Sequence, residues 1–210
     1  MRRQSRNRRR RSVDGRPATD LQREIAEAAH RLYPQHFDTA EYGGCVGFTA
    51  CTIVAAERRG VKLLPTAGSM EYRCVSPECD DGYGMTHFGY RFEGFDHPDV
   101  IRSLMEVRLP ELHCWAVDVN RRYIVDVTTR FFQTQARLIA GFDVPWTAPV
   151  PPEWIWRKAK RMSTLGGDVF YGADKKATAF VDMNFITPAI EAIKRGERYE
   201  PLPMLIVPTI

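Results

Sequence analysis

The chain has no apolar run approaching the roughly 18 residues that a membrane-spanning helix needs, and its first residues contain no hydrophobic segment. Neither a span nor a secretory leader is expected. The expectation is a cytoplasmic or virion-associated protein whose thiols stay reduced. The five cysteines, Cys45, Cys51, Cys74, Cys79 and Cys114, are odd in number, which argues against a disulfide framework. Histidine is also scarce, with five residues. The only set resembling a metal site is Cys74 and Cys79 with His87 and His97, and no second tight pair completes it. The expectation is no metal and no cofactor. There is no internal repeat.

Acid is missing from residues 1–12, which carry seven arginines: Arg2, Arg3, Arg6, Arg8, Arg9, Arg10 and Arg11. The formal net charge of +4 comes from 30 basic and 26 acidic residues. Without those arginines the balance is 23 to 26, so the rest of the chain is slightly acidic. A segment so poor in apolar residues cannot build a core. Residues 1–18 are expected to be a disordered tail. They could contact nucleic acid or another polyanion, or merely keep the chain soluble. Residues 19–210, in a chain that is 44% hydrophobic, are expected to form one domain.

Thr19-Asp20-Leu21-Gln22 reads as a capping box, followed by Leu21, Ile25, Ala28 and Leu32 at helical spacing and ended by Pro34. A second helix is expected from Cys45 to Arg59, with Gly60 as its C-cap. Its apolar residues cover most of its circumference, so it should be buried on several sides. Short strands are expected at 61–64 and 69–75, around the breaker PTAG, and at 87–92. A short helix is expected within 96–108. LHCWAVDV (112–119) and RYIVDVTT (122–129) form the clearest hairpin, turning at Asn120-Arg121. WIWRKAKRM (154–162) reads as a helix, 143–152 as a proline-rich connection and 177–186 as a last strand. Residues 187–196 read as a helix with Thr187 as N-cap and Gly196 as C-cap. Helices followed by antiparallel strands indicate an α+β fold.

The chemistry centres on EYGGCVGFTACTIVAAERRG (41–60). Cys45 stands behind two glycines at the first turn of a helix. The positive end of the helix dipole and unpaired N–H groups there favour thiolate, the nucleophilic form, and can stabilise an oxyanion. Gly43 and Gly44 allow a substrate backbone to approach. Cys51 lies well inside the helix and reads as core. A nucleophile needs a base, and the base needs an orienting group. The hairpin supplies His113 and Asp126. With a two-residue loop, Trp115 faces Asp126 and His113 faces Thr128, so His113 and Asp126 are diagonal neighbours on one face. A three-residue loop would separate them. Each of these residues taken singly has an ordinary structural explanation: a buried cysteine, a satisfied core histidine, a strand-end acid.

Gly43-Gly44-Cys45 at a helix start, His113-Cys114-Trp115 on one strand and Asp126-Val127-Thr128 on the next resemble the transglutaminase-like superfamily of papain-related folds. Phe48, three after the cysteine, and the turn Arg59-Gly60-Val61 fit the same pattern. The resemblance spans roughly residues 41–130. It implies a papain-like or transglutaminase-like core, with N-terminal helices packed on an antiparallel sheet. It also implies a Cys-His-Asp triad, with Cys45 as nucleophile, His113 as base and Asp126 as orienter. Tyr42, Gly43, Gly44 and Trp115 are the expected substrate contacts. The chain departs from the pattern in a longer segment between cysteine and histidine, in Lys62 and in Thr49. Arylamine N-acetyltransferases share the same order of residues, but their glycine-rich stretch after the aspartate is replaced here by Thr128-Thr129-Arg130-Phe131.

The expected function is therefore that of a cysteine-dependent hydrolase or acyltransferase of the protease, amidase or transglutaminase-like kind. It would act on a peptide or small amide through a thioester acyl-enzyme. The alternatives are a small-molecule acyltransferase like the arylamine N-acetyltransferases, and an inactive domain that binds nucleic acid through its basic tail.

Overall fold

The computed structural model describes residues 19–37, 44–74, 87–106, 108–120, 122–140, 152–158 and 169–199. The arginine-rich segment, Tyr42, Gly43, Cys79 and most of the proline-rich connection lie outside these residues.

Helix α1 (Asp20–His36) starts at the expected capping box. Gln22 N–H donates to Thr19 Oγ1 at 3.2 Å, and Thr19 N–H donates back to Gln22 Oε1 at 3.1 Å. Pro34 falls inside the last turn instead of ending the helix before it. Proline forfeits its own N–H and crowds the carbonyl one turn back, yet the helix continues past it, and Phe37 N–H closes the last turn on Tyr33 O at 2.9 Å. Helix α2 (Gly44–Glu57) is buried along nearly its whole length, because α1 and the sheet enclose it together with a later helix. Its contact with α1 is close: a Cβ on Gly47 would lie 2.7 Å from the Tyr33 ring. The same tyrosine stacks on Phe48, with ring centroids 4.0 Å apart.

A turn with Gly60 at φ +71° leads into β1 (Leu64–Arg73). This is one ten-residue strand, so the expected break at PTAG does not occur. Pro65 is tolerated because it lies at the strand's start. The later elements are β2 (His87–Tyr90), α3 (Pro98–Met105), β3 (His113–Asp118) and β4 (Tyr123–Asp126). A 3₁₀ turn (Thr129–Phe131) then leads into α4 (Phe132–Ala140). The chain ends its described course with β5 (Ile155–Lys158), β6 (Val169–Ala173), α5 (Lys175–Val181), a π-helical turn (Asp182–Ile186) and α6 (Thr187–Arg195).

The strands form one antiparallel, curled sheet in the order β2-β1-β3-β4-β5, with β6 also paired to β1. Strand β1 is the hub. It pairs through Leu64–Gly68 with β3, through Met70–Arg73 with β2 and through Gly68–Tyr72 with β6. The β3–β4 ladder pairs Ala116 with Val125 and Asp118 with Tyr123, which is the expected register. Its connection is wider than two residues and places Arg122 at φ +54°. Each strand gives up one residue to the turn, so the parity that puts His113 and Asp126 on one face is unchanged.

Two expected elements differ. The described part of WIWRKAKRM forms strand β5, not a helix, because its period-two residues Ile155 and Arg157 bury against the outer edge of β4; residues 159–162 lie outside the described residues. Residues 177–186 are helix and π turn, not a strand. The Asp174 carboxylate caps α5 through Ala177 N–H at 2.7 Å, and the last strand among the described residues is the earlier run 169–173. Helix α6 ends at Gly196, φ +76°, as expected. Thr187 is not its N-cap, because the π turn runs straight into the helix.

Alternation along the strands divides the core between two faces. Cys114, Ala116 and Val125 face α1, α2, α5 and α6. Trp115, Ile124 and Met70 face the other way, into a cluster with Phe88 and Phe132. The fold is α+β. No helix among the described residues is long and apolar enough to cross a membrane.

Candidate active site

Cys45 is the second residue of α2 and half-buried. His113 opens β3, and Asp126 closes β4, so the α2 start and the hairpin converge at one end of the sheet. His113 Nε2 lies 2.7 Å from Asp126 Oδ2, and both side chains are 1% exposed. A carboxylate can only accept, so this nitrogen carries the proton. The other ring nitrogen, Nδ1, is buried and makes no well-formed hydrogen bond. The Cys45 thiol lies close enough to His113 for each group to shift the other's proton affinity. The ring is fixed by stacking on Tyr90, centroids 5.5 Å apart and nearly parallel, and by Phe132 edge-on at 6.0 Å.

Asp126 accepts four hydrogen bonds. Thr128 donates twice to Oδ1, from its backbone N–H at 2.8 Å and its hydroxyl at 2.6 Å. His113 and the Tyr171 hydroxyl, at 2.6 Å, share Oδ2. Burial alone would raise this carboxyl. The His113 charge and the donated hydrogen bonds outweigh it and hold the group below the usual carboxylate range. Burial likewise opposes charging of His113, but the Asp126 carboxylate prevails and pushes it up to about 10.

The Cys45 thiol is held well below its ordinary value. The main cause is a hydrogen bond from the Cys114 thiol. Burial opposes it, and His113 adds a hydrogen bond and its charge. Cys114 correspondingly moves well up, through burial first and the neighbouring Cys45 second. Cys51, in the middle of the same helix, is raised to about 12 by burial.

Gly44, Cys45, Tyr90, Glu111, His113 and Gln135 line a cavity of about 230 Å³ with Leu109, Pro110, Leu112 and Thr128. Tyr90 donates its hydroxyl to Gln135 Oε1 at 3.2 Å, which leaves the amide nitrogen available to a ligand. Trp115, expected to contact substrate, does not line this cavity. It is 2% exposed and packs edge-on against Tyr171 at 5.0 Å. Two places along the strand from His113, it supports the site from within the core. Cys74, a candidate metal ligand, is buried and directs its thiol to Tyr72 O at 3.7 Å. Among the described residues no group of three His, Cys, Asp or Glu side chains is placed to hold a metal.

Sequence reasoning missed that Cys114 meets Cys45, and it missed Tyr171. Cys114 was legible: alternation turns it away from His113 and toward the face on which α2 packs. Tyr171 had a weaker signal, the short β-prone run VFYGA.

No family model matches the chain, and no curated protein does. A solved structure described as "The crystal structure of genomics APC5867" is similar at 16% identity and a TM-score of 0.44, over 89% of this chain and 83% of its own.

Proposed function

We propose that the chain is a cysteine-dependent amide hydrolase or acyltransferase on a papain-related, transglutaminase-like core, with Cys45 as nucleophile, His113 as proton carrier and Asp126 as the group that orients it. The observation that carries this reading is the cavity-lining thiol beside a histidine whose far nitrogen is bound to a buried carboxylate. The thiolate attacks the carbonyl carbon of a bound amide, and the carbonyl electrons move onto oxygen. The free N–H groups of the first turn of α2 face the developing oxyanion. As the tetrahedral species collapses, the C–N bond breaks and His113 gives its Nδ1 proton to the departing amine. A thioester on Cys45 remains. Water or a second amine then attacks it, passing a proton to His113, and the thiolate is restored.

The test is a timed reaction with iodoacetamide at pH 6–7, read by peptide mass spectrometry. Cys45 should be alkylated well before Cys74, and the modified protein should form no adduct with an activated acyl donor. Equal rates at the two thiols would sink the reading.

A further inference from the structure

We propose that Tyr171 is a positioning residue of this site: its hydroxyl shares Asp126 Oδ2 with the His113 ring and so sets how strongly the carboxylate grips the imidazole. This rests on the cysteine-hydrolase reading above and assigns a role to a strand outside the stretch that carries the family resemblance. Tyr171 lies on β6, opposite Met70 of β1. From there its ring meets Trp115 edge-on at 5.0 Å and reaches His113 at 6.1 Å, and its hydroxyl ends 2.6 Å from Oδ2. Burial and the neighbouring carboxylate keep the phenol protonated well above its ordinary range, so across all working pH values it can only donate to Asp126.

The consequence follows from charge sharing. A carboxylate oxygen that accepts one hydrogen bond from imidazolium and a second from a phenol offers less charge to each. Without the phenol, Asp126 would hold the His113 proton more tightly. A histidine already pushed up to about 10 would then be a poorer acid toward a leaving amine near neutral pH. The hydroxyl is thus a brake on the base. The carboxylate's plane does not depend on it, because Thr128 still fixes Oδ1 with two donors.

The experiment uses the full chain with ring-labelled histidine, following the His113 resonance through a pH titration, with His113→Gln to assign it. Tyr171→Phe keeps the ring packed on Trp115 and removes only the donor. The His113 midpoint should rise by about 0.5–1 pH unit. Difluorotyrosine placed at position 171 keeps the shape and donates more strongly, so the midpoint should fall. This second substitution also keeps the test alive should Tyr171→Phe fold poorly. Shifts of opposite sign support the proposal. No shift, or shifts of the same sign, overturn it and leave the reading of the site standing, provided Cys45 of the unsubstituted chain alkylates fast at neutral pH. If that alkylation is slow, the reading fails and the role of Tyr171 falls with it.

Discussion

Two thiols in one helix behave in opposite ways. Cys45 and Cys51 are six residues apart on α2 and share its backbone. Cys45 is held toward thiolate, while burial pushes Cys51 up to about 12. The helix alone does not decide the difference. Cys51 is enclosed by apolar side chains in the middle of α2, where every N–H is already used. Cys45 sits where the helix begins, and the hairpin brings it two donors, the His113 ring and the Cys114 thiol. The acidity of each thiol is set by what the sheet presents to its turn of the helix.

The sharpest way to break the comparison is to remove one thiol at a time. Cys45→Ala should abolish fast alkylation and any acyl-transfer activity. Cys51→Ala should leave the alkylation rate unchanged and cost about 1–2 kcal/mol of stability in denaturant titrations, through the cavity it opens. The reverse pattern would place the reactive thiol in the core.

Asp126→Asn is next in size. The amide can still accept from His113, but it offers no charge and can present the wrong tautomer to Cys45. The alkylation rate of Cys45 near pH 6 should fall about 100-fold or more. Cys114→Ala should act more gently. It removes one donor from the thiolate and should slow alkylation at pH 6 by roughly 10-fold, about one pH unit of thiol acidity. An unchanged rate would show that His113 alone accounts for the difference from Cys51.

The smallest effect is on stability against pH. Where Cys45 is thiolate and His113 imidazolium, the folded pair holds one proton. Unfolded, they hold two below about pH 6.5, one between about 6.5 and 8.5, and none above. Stability therefore rises with pH up to about 6.5, is level to about 8.5, then declines until His113 discharges near 10. Two other groups steepen the acid side. Asp126 has a depressed folded value, so its share is lost as pH falls through that value. His30 is lowered to about 4 by burial first and Arg130 second, so its share is lost below about 6.5. In Cys45→Ala only the raised histidine remains of the pair, so its decline should begin at about pH 6.5. Scanning calorimetry across pH 5–10 distinguishes a plateau from a slope.

The parts legible in the sequence were those set by local parity. The register of the hairpin follows from two alternating runs and a short turn, and it survived a loop wider than expected because each strand gave up one residue at the turn. The Thr19 cap and the Gly196 stop are local hydrogen-bond chemistry. The parts missed depend on partners distant in sequence. WIWRK is ambiguous until the free edge of β4 is known. PTAG reads as a breaker until β3 is seen to pair straight through it, from Leu64 to Gly68. The cap at Asp174 was visible in principle, but it lay just before a stretch with enough apolar residues to read as a strand. Tyr171 could not be assigned because its role exists only once β6 has found β1.

That last pairing has a bearing on how the protein is made. Strand β6 joins β1 roughly a hundred residues after β1 has left the ribosome. A nascent chain ending before residue 169 already contains α2, β3 and β4, which carry Cys45, His113 and Asp126, but not α6, which packs on α2. It cannot yet place a phenol on the carboxylate or cover that flank of the hub strand. Such long-range closure is slow and comes late. The Asp126 carboxylate is therefore made well before the phenol that comes to share it, and His113 and Thr128 are its earlier donors.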